Sequence, residues 1–458
     1  MTVGSASAAD LASACLDEAA RAAACAADVF IKESLSREVS QPGGELAQSI
    51  ERGIALRVFL SDGRFGIAAA TLSSEAARGA QDPLAASLAR RAVAAAGISS
   101  PAPAIPLPGS ARADGRGLGL FDPEIEDPIE DLLEAAHQMA DHASRAAAPC
   151  AAIARLHTVS SMTHLFNSAG FAGSYRQTIA RLDLTLTSTR DGTSAATRVS
   201  RAARSLRGLA ADSAAAEAAA LLEERIAPRL APSGIHEVIL SPRASADLVA
   251  AIAGWLASPP LSSDPRTSRE GGPRRGERFG TNAVTLTDDG RLPGGVASAP
   301  FDGEGTRTRR TLLVERGILR DVLRDLEAGI AGGGSTGNGV RSSFREAPSL
   351  RPTNLFLHPG AASPEDLLSS IRQGIRISAL GRVPPLPGPG APFAVPFTGR
   401  WIHGGRLGSP LGGGYLAGNL KEILAEAEAA GSDLAFSHRR GSFGAPSLLI
   451  RRAPIRSS

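Results

Sequence analysis

The spacing of hydrophobic residues changes several times along the chain, and each change marks an element. Residues 8–26 carry alanine and leucine at helical spacing and predict an amphipathic helix. "DVFIKES" follows as a strand and "QPGG" as a turn. In "GIALRVFLSDGRFGIAAATL", Val58 and Leu60 alternate with polar or small neighbours. Asp62-Gly63 there separates two strand-like runs, which is a hairpin signal. A second helix is predicted over 83–96, with Pro83 in its first turn. A third is predicted over 128–147, with Asp127 as cap and Pro128 leading. Between them, 98–117 reads as a Pro/Gly/Ser connector that could divide this half into two subdomains. From 151 to 200 the period falls to two, clearest at Leu182, Leu184 and Leu186. A helix over 212–226 closes the half. Strands and helices do not follow strict βαβ order, so the predicted class is α+β. Residues 1–232 form the N-terminal domain of short antiparallel strands with helices.

Residues 233–458 predict a second domain, rich in β-strands with a few helices. It opens with the buried-strand pattern "EVILSP" and a helix at 244–257. Segments 259–278 and 288–300 are polar Gly/Pro-rich loops. Short strand patterns follow: "RTLLVERGILRDVL", "TNLFLHPG", "IRISALG" and "SLLIRRA". Two helices interrupt them, "SPEDLLSSIRQG" with Ser363 as cap and Asp366 three residues on, and "GNLKEILAEAEAAG" with Asn419 and Glu422 in the same relation.

Composition narrows the function classes. Apolar residues make up 43% of the 458, enough for a sizeable core. Of 49 basic residues only Lys32 and Lys421 are lysines, but 46 acidic residues leave a net charge of +3. There is no basic run with interleaved aromatics, so direct nucleic-acid binding is not expected. Three cysteines, an odd number in a long chain, predict no disulfide framework and a reducing compartment. The N-terminus lacks the basic and apolar regions of a signal peptide. The apolar run at 248–257 is about half the length that spans a bilayer. A cytoplasmic protein without membrane contact is expected.

Candidate chemistry is sparse. His137 and His142 are five apart and point away from each other on a helix; His157 and His164, seven apart in strand-like sequence, fall on opposite faces if it is one strand. Neither H-E-x-x-H nor C-x-x-C occurs. "GGSTG" at 333–337 matches a nucleophile elbow at Ser335, with Asp366 and His403 in hydrolase order, but lacks the flanking strand and helix. "GGGSTGNG" has the glycine spacing of a phosphate loop with Asn338 where lysine is required. "FDGEGTRTRR" places Asp302 and Glu304 on a glycine turn beside Arg307. A metal loop, an acid/base pair and a structural acidic turn are all open there, and a turn tied to Arg307, Arg309 or Arg310 is preferred. The blocks 301–310 and 335–341 are the candidate functional loops, because both set polar side chains on compact backbone. Their residues are Asp302, Glu304, Arg307, Ser335, Thr336, Asn338 and Arg341.

The order of pieces from about 235 to 450 resembles the TldD/PmbA family, once called modulators of DNA gyrase. The matching pieces are "EVILSP", "FDGEGTRTRRTLLVERGILRDVL", "STGNGVR", "PTNLFLHPGAASPEDLL", "GIRI", "FTGRWIHGG" and "LAGNLKEIL". "GIALRVFLSDGRFGIAAAT" and "FNSAGFAGSYRQT" fit its N-terminal part more loosely. The resemblance implies a cytoplasmic peptidase assembly. Its TldD-type chain carries zinc on an H-E-x-x-x-H helix completed by a later cysteine; its PmbA-type chain, also called TldE, lacks that site and pairs with the first. Here the corresponding helix reads "SADLVAAIAGWLASPP", without histidine or glutamate, and the C-terminal half has no cysteine. Zinc needs three protein ligands and an open position. The expectation is therefore a PmbA/TldE-type subunit with no catalytic residue or cofactor of its own. Zinc would sit in a TldD-like partner within a heterodimer, and a homodimer without that partner stays open. Extended peptides would lie against the sheet near the interface. Two rivals remain: a regulatory binding protein linked to DNA gyrase or a toxin–antitoxin system, and a serine hydrolase using Ser335.

Overall fold

A computed structural model describes residues 5–72, 81–109, 114–147, 150–190, 193–226, 228–257, 272–330 and 333–457. The first half contains α1 (Ser5–Arg21), β1 (Ala26–Gln41), β2 (Glu45–Phe59), β3 (Phe65–Thr71), α2 (Gln81–Gly97), α3 (Ile129–Ala146), β4 (Ala151–Asn167), β5 (Ala172–Arg190), β6 (Thr193–Ala203) and α4 (Ala211–Arg225). Its strands form one six-stranded sheet in the order β3-β2-β1-β4-β5-β6, antiparallel throughout. One face is apolar and carries the helices. Val29, Ile31, Ile54 and Leu56 pack with Leu11 and Cys15 of α1 and Leu88 of α2. Leu156, Leu182, Leu184 and Leu186 pack with Leu132 of α3 and Leu222 of α4. Alanine lets these helices approach closely, and at Gly66 a Cβ would lie 2.1 Å from the Ala92 carbonyl oxygen of α2.

Two expectations for this half need correction. Its strands are not short: β4 runs 17 residues and β5 runs 19. Alternation is hidden in the middle of β4 because Thr158, Ser160, Ser161 and Thr163 are buried polar residues. Asp127 is not the cap of α3. Pro128 holds that position with no side-chain bond, while Asp127 ends the preceding 3-10 turn Pro123–Glu126, its N–H donating to the Glu124 carbonyl.

The chain enters its second half at β7 (Arg229–Leu230) and β8 (Gly234–Leu240), followed by α5 (Pro242–Leu256), β9 (Leu286–Asp289), β10 (Arg310–Glu315), β11 (Ile318–Leu319) and α6 (Leu326–Gly329). Then come β12 (Gly339–Val340), β13 (Ser349–Leu350), β14 (Asn354–Leu357), α7 (Pro364–Ser369), β15 (Gln373–Leu380), β16 (Pro392–His403), β17 (Arg406–Asn419) and α8 (Leu420–Ala425). The last strands are β18 (Ala427–Ala430), β19 (Ala435–Ser437), β20 (Ser442–Ala445) and β21 (Leu448–Ser457). One sheet has the order β18-β21-β8-β15-β16-β17-β7, and an added β17–β21 pairing closes β21, β8, β15, β16 and β17 into a ring. A second sheet has the order β11-β10-β9-β14-β20-β19. Helix α5 touches β8 and β15 of the first sheet and β14, β19 and β20 of the second. A helix packed between two sheets must be apolar over most of its surface, which is what "LVAAIAGWL" supplies, with Gly254 its one exposed position. The class is α+β.

Both capping signals hold in part or whole. Ser363 and Asp366 form the reciprocal box of α7, and the Asn419 side chain accepts the Glu422 N–H at 2.9 Å. The helix expected through "EAEAAG" stops early, however. Residues 427–430 become β18 because pairing with β21 outweighs the helix preference of alanine and glutamate. Of the loop expected over 259–278, residues 259–271 lie outside the described residues, as do 110–113 of the connector. Among the described residues no helix is long and apolar enough to cross a membrane.

Candidate functional site

The two candidate loops meet. Phe301 and Arg307 form a bridge that closes the turn between them. Inside it, Asp302 Oδ1 accepts the N–H groups of Glu304 at 2.9 Å and Thr306 at 3.0 Å. Asp302 Oδ2 reaches across to the N–H of Gly339 at 2.9 Å. The Gly303 N–H donates to the Gly339 carbonyl, and Arg341 Nε donates to the Gly303 carbonyl at 2.7 Å. Glycine is required at 339, where a Cβ would lie 2.4 Å from Glu304 Oε2.

The turn is acidic and buried, but its arginines come from elsewhere. Glu304 Oε1 faces Arg57 Nη1 at 3.3 Å, and Oε2 accepts the N–H of Leu326 at the start of α6. Arg57 also binds Asp28, its direct cross-strand neighbour, with Nε at 2.7 Å and Nη2 at 2.6 Å from Oδ2. Asp28 Oδ1 accepts from Arg341. The expected pairing with Arg307, Arg309 or Arg310 is thus replaced by Arg57, 247 positions away, because Arg57 and Asp28 project from the sheet face opposite the helices. Arg307 is exposed. Burial raises the pKa of both Asp302 and Glu304. For Asp302 the neighbouring Glu304 charge adds to this, against three backbone N–H groups; for Glu304 the Arg57 charge opposes it. The cluster ties the two halves of the chain together at a point where all its side chains are out of water.

The 335–341 loop has a similar character. Thr336 Oγ1 accepts the Arg324 N–H at 2.8 Å. Asn338 Nδ2 donates to Asp288 Oδ2 at 2.8 Å and to the Arg351 carbonyl at 3.0 Å. Thr353 adds its N–H and hydroxyl to the same carboxylate. Asn338 is therefore a core connector and faces no phosphate-sized space with its amide. Burial pushes Asp288 up to about 6, against the donors from Asn338 and Thr353. The folded chain thus holds this proton where the unfolded chain, with a pKa of 3.8, has released it. Stability contributed here is full below about pH 4 and falls as pH rises to about 6, by roughly 3 kcal/mol. Urea midpoints from pH 4 to 7 are expected to show that fall in wild type relative to Asp288→Asn.

Ser335 is not a nucleophile in this geometry. Its hydroxyl donates to the Arg324 carbonyl at 3.2 Å and accepts the Gly337 N–H at 3.1 Å. Asp366 is spent on capping α7, and His403 ends β16 opposite Gln373 and Arg406. Among the described residues, the strand and long helix of an elbow are not formed around Ser335, so this geometry lends the serine hydrolase rival no support. A serine-directed fluorophosphonate probe is expected to label wild type and Ser335→Ala equally weakly.

What the loops do border is a cleft of ≈ 190 Å³. Asp302, Gly303 and Arg341 form one wall; Phe30, Lys32 and Tyr175 of the N-terminal sheet form the other. Burial lowers the pKa of Lys32 and raises that of Tyr175. Asp302 lines this cleft, whereas Glu304 lies behind it. Sequence reading missed Asp28, Arg57 and Asp288. "TDDG" at 287–290 offered a faint signal for the last; nothing in sequence links Arg57 to Glu304.

On α5, Ser241 caps the helix, accepting the Ala244 N–H at 3.2 Å, and donates to the Ser378 carbonyl at 2.7 Å. Asp247 pairs with Arg439 at 3.0 Å. Among the described residues no group of three or more His, Cys, Asp or Glu converges on a metal-sized position.

Comparison with known proteins identifies the family of the chain. Residues 233–457 match the PmbA/TldA metallopeptidase C-terminal domain, and residues 120–225 match the central domain of the same family. A protein named metalloprotease from Methanothermobacter thermautotrophicus is 29% identical over 236 residues, 49% of this chain and 51% of that one. A metalloprotease TldD homolog of Buchnera aphidicola is 28% identical over 187 residues, 37% of this chain and 35% of that one. The chain thus spans about half the length of these curated relatives, or less. TldE from Thermococcus kodakarensis shares the fold with a TM-score of 0.82 at 18% identity, covering 96% of this chain and 99% of its own. So does a Thermotoga maritima protein described as a candidate modulator of a DNA gyrase, with a TM-score of 0.82 at 19% identity, covering 98% and 100%. With two family domains matched in order over most of its length, the chain belongs to the PmbA/TldD family.

Proposed function

We propose that this chain is the PmbA/TldE-type subunit of a two-chain peptidase, acting in the cytoplasm on unfolded or small peptides. Zinc belongs to a TldD-like partner in a heterodimer; this chain contributes interface and substrate-holding surface and is catalytically silent alone. The observation that supports this best is α5. The helix on which the resemblance expects zinc ligands runs from Pro242 to Leu256 without histidine or glutamate, and most of it is packed as core. This core helix offers a metal neither histidine nor glutamate, and its one carboxylate, Asp247, is already paired with Arg439. Leader segments of modified peptides suit the substrate class. Co-expression with a TldD-like chain, followed by co-purification and casein-peptide hydrolysis with and without zinc, tests it. The expected result is association, with hydrolysis confined to the zinc-loaded pair. A chain that never associates with such a partner would sink the reading.

A further inference from the structure

A larger cavity lies apart from the loops described above. It measures ≈ 420 Å³ and opens between α4 and β6 on one side and β15, the start of α5 and β19 on the other. That volume is within the usual range for small-molecule pockets, roughly 300–1,000 Å³. Four arginines line it: Arg201, Arg243, Arg376 and Arg439. Some of their charge is already matched. Glu217 takes Arg201 and Arg243, and Asp247 takes Arg439. Asp433, also in the wall, has both oxygens bound to Ser447. Arg376 makes one long side-chain hydrogen bond, 3.5 Å to the Ser378 hydroxyl, and its charge also acts on Glu224. The surroundings remain positive. Burial, then Arg181 and Arg201, hold His438 down to about 4, and burial, then Arg243 and Arg439, depress Arg225.

Against this wall stands one carboxyl that the fold satisfies only in part: burial raises its pKa, against the Ser378 hydroxyl and the charges of Arg376 and Arg400. Glu224, in the last turn of α4, is 2% exposed. Its Oε1 accepts the Ser378 hydroxyl at 2.9 Å; its Oε2 has no hydrogen-bond partner. A buried polar atom left in this state costs about 1–3 kcal/mol, so a donor that reached it would be favoured. An anion alone would leave Oε2 facing a like charge. A cation alone would face four guanidinium groups. A ligand with an anionic end and an adjacent N–H donor meets both walls.

We infer that this cavity binds a carboxylate bearing an N–H donor on the adjacent carbon, as in a free α-amino acid or the carboxy terminus of a peptide. The carboxylate lies against Arg376, and the N–H donates to Glu224 Oε2. Guanidinium is suited to the first contact because it presents paired donors to a planar anion. The claim concerns this chain alone and stands or falls independently of any partner's zinc.

Isothermal titration of the full chain with L-alanyl-L-alanine, L-alanine, L-alanyl-L-alaninamide and acetate tests it. At least one of the first two is expected to bind, with the amide and acetate at least about tenfold weaker. Preference for the dipeptide identifies a peptide terminus; preference for alanine identifies a free amino acid. Arg376→Gln is expected to weaken binding about 30-fold, and Glu224→Gln about tenfold, in chains whose melting curves match wild type. Should a variant fail to fold, the ligand comparison on wild type decides alone. The proposal is overturned by no binding of either carboxylate ligand, by equal binding of the amide or of acetate, or by unchanged affinity in folded Arg376→Gln.

Discussion

Arg57→Leu is expected to cost about 3–5 kcal/mol of folding stability, the range for breaking a buried ion pair by removing one partner. The cost does not come from the attraction that is lost. It comes from Asp28 and Glu304, which stay buried without their shared cation. Arg341 still reaches Asp28, so the larger part of the penalty falls on Glu304. Adding Glu304→Gln removes that orphaned charge while keeping an oxygen for the Leu326 N–H. The double variant is therefore expected to be less destabilised than the sum of the two single variants by at least about 1 kcal/mol. Urea unfolding of the four proteins measures this. Because the cluster joins β1 and β2 to the 301–310 turn, calorimetry is also expected to resolve the N-terminal sheet from the C-terminal half in Arg57→Leu, where wild type melts more nearly together.

Phe301→Ala is expected to cost a similar amount, about 3–5 kcal/mol, as deletion of a buried aromatic does in a core that cannot collapse. Phe301 is 1% exposed and meets Phe171 and Tyr175 edge-on, with ring centroids 5.2 and 5.1 Å away. Those rings stand on β5 and the turn before it, so the loss again opens the seam between the halves. Phe301 also lines the cleft beside Asp302, and its removal enlarges that cleft rather than leaving a sealed void. Phe301→Leu, which fills most of the space, is expected to recover more than half of the lost stability. Urea midpoints of both variants check this, and the combined effect with Arg57→Leu is expected to fall short of the sum because the two sites share the 301–304 turn.

Much of the fold could be read from the chain because apolar spacing is a local signal. Leu182, Leu184 and Leu186 announce β5, and the all-round apolar character of α5 announces a helix enclosed by other elements. Reading failed where distant segments decide the outcome. The length of β4 follows its pairing with β1 and β5, and β18 forms because β21 offers an edge. The candidate site divides in the same way. Asp302 and Gly339 sit in recognisable glycine turns, and the two turns do meet. Their counter-ions do not appear nearby in sequence, since Arg57 is fixed opposite Asp28 by strand register and only then aimed at Glu304. The opening alternatives for "FDGEGTRTRR" reduce to a structural knot with one carboxylate, Asp302, on a cleft wall. Asp302 there is engaged by three backbone N–H groups, and Glu304 by Arg57 and the Leu326 N–H.

The subunit role is tested most directly by measuring peptide hydrolysis for this chain alone, a TldD-like chain alone, and the two purified together. The account predicts that the pair elutes as one species and cleaves unfolded peptide, that a chelator abolishes cleavage and zinc restores it, and that this chain alone is inactive at any zinc concentration. Cleavage by this chain alone at the rate of the mixture would contradict it.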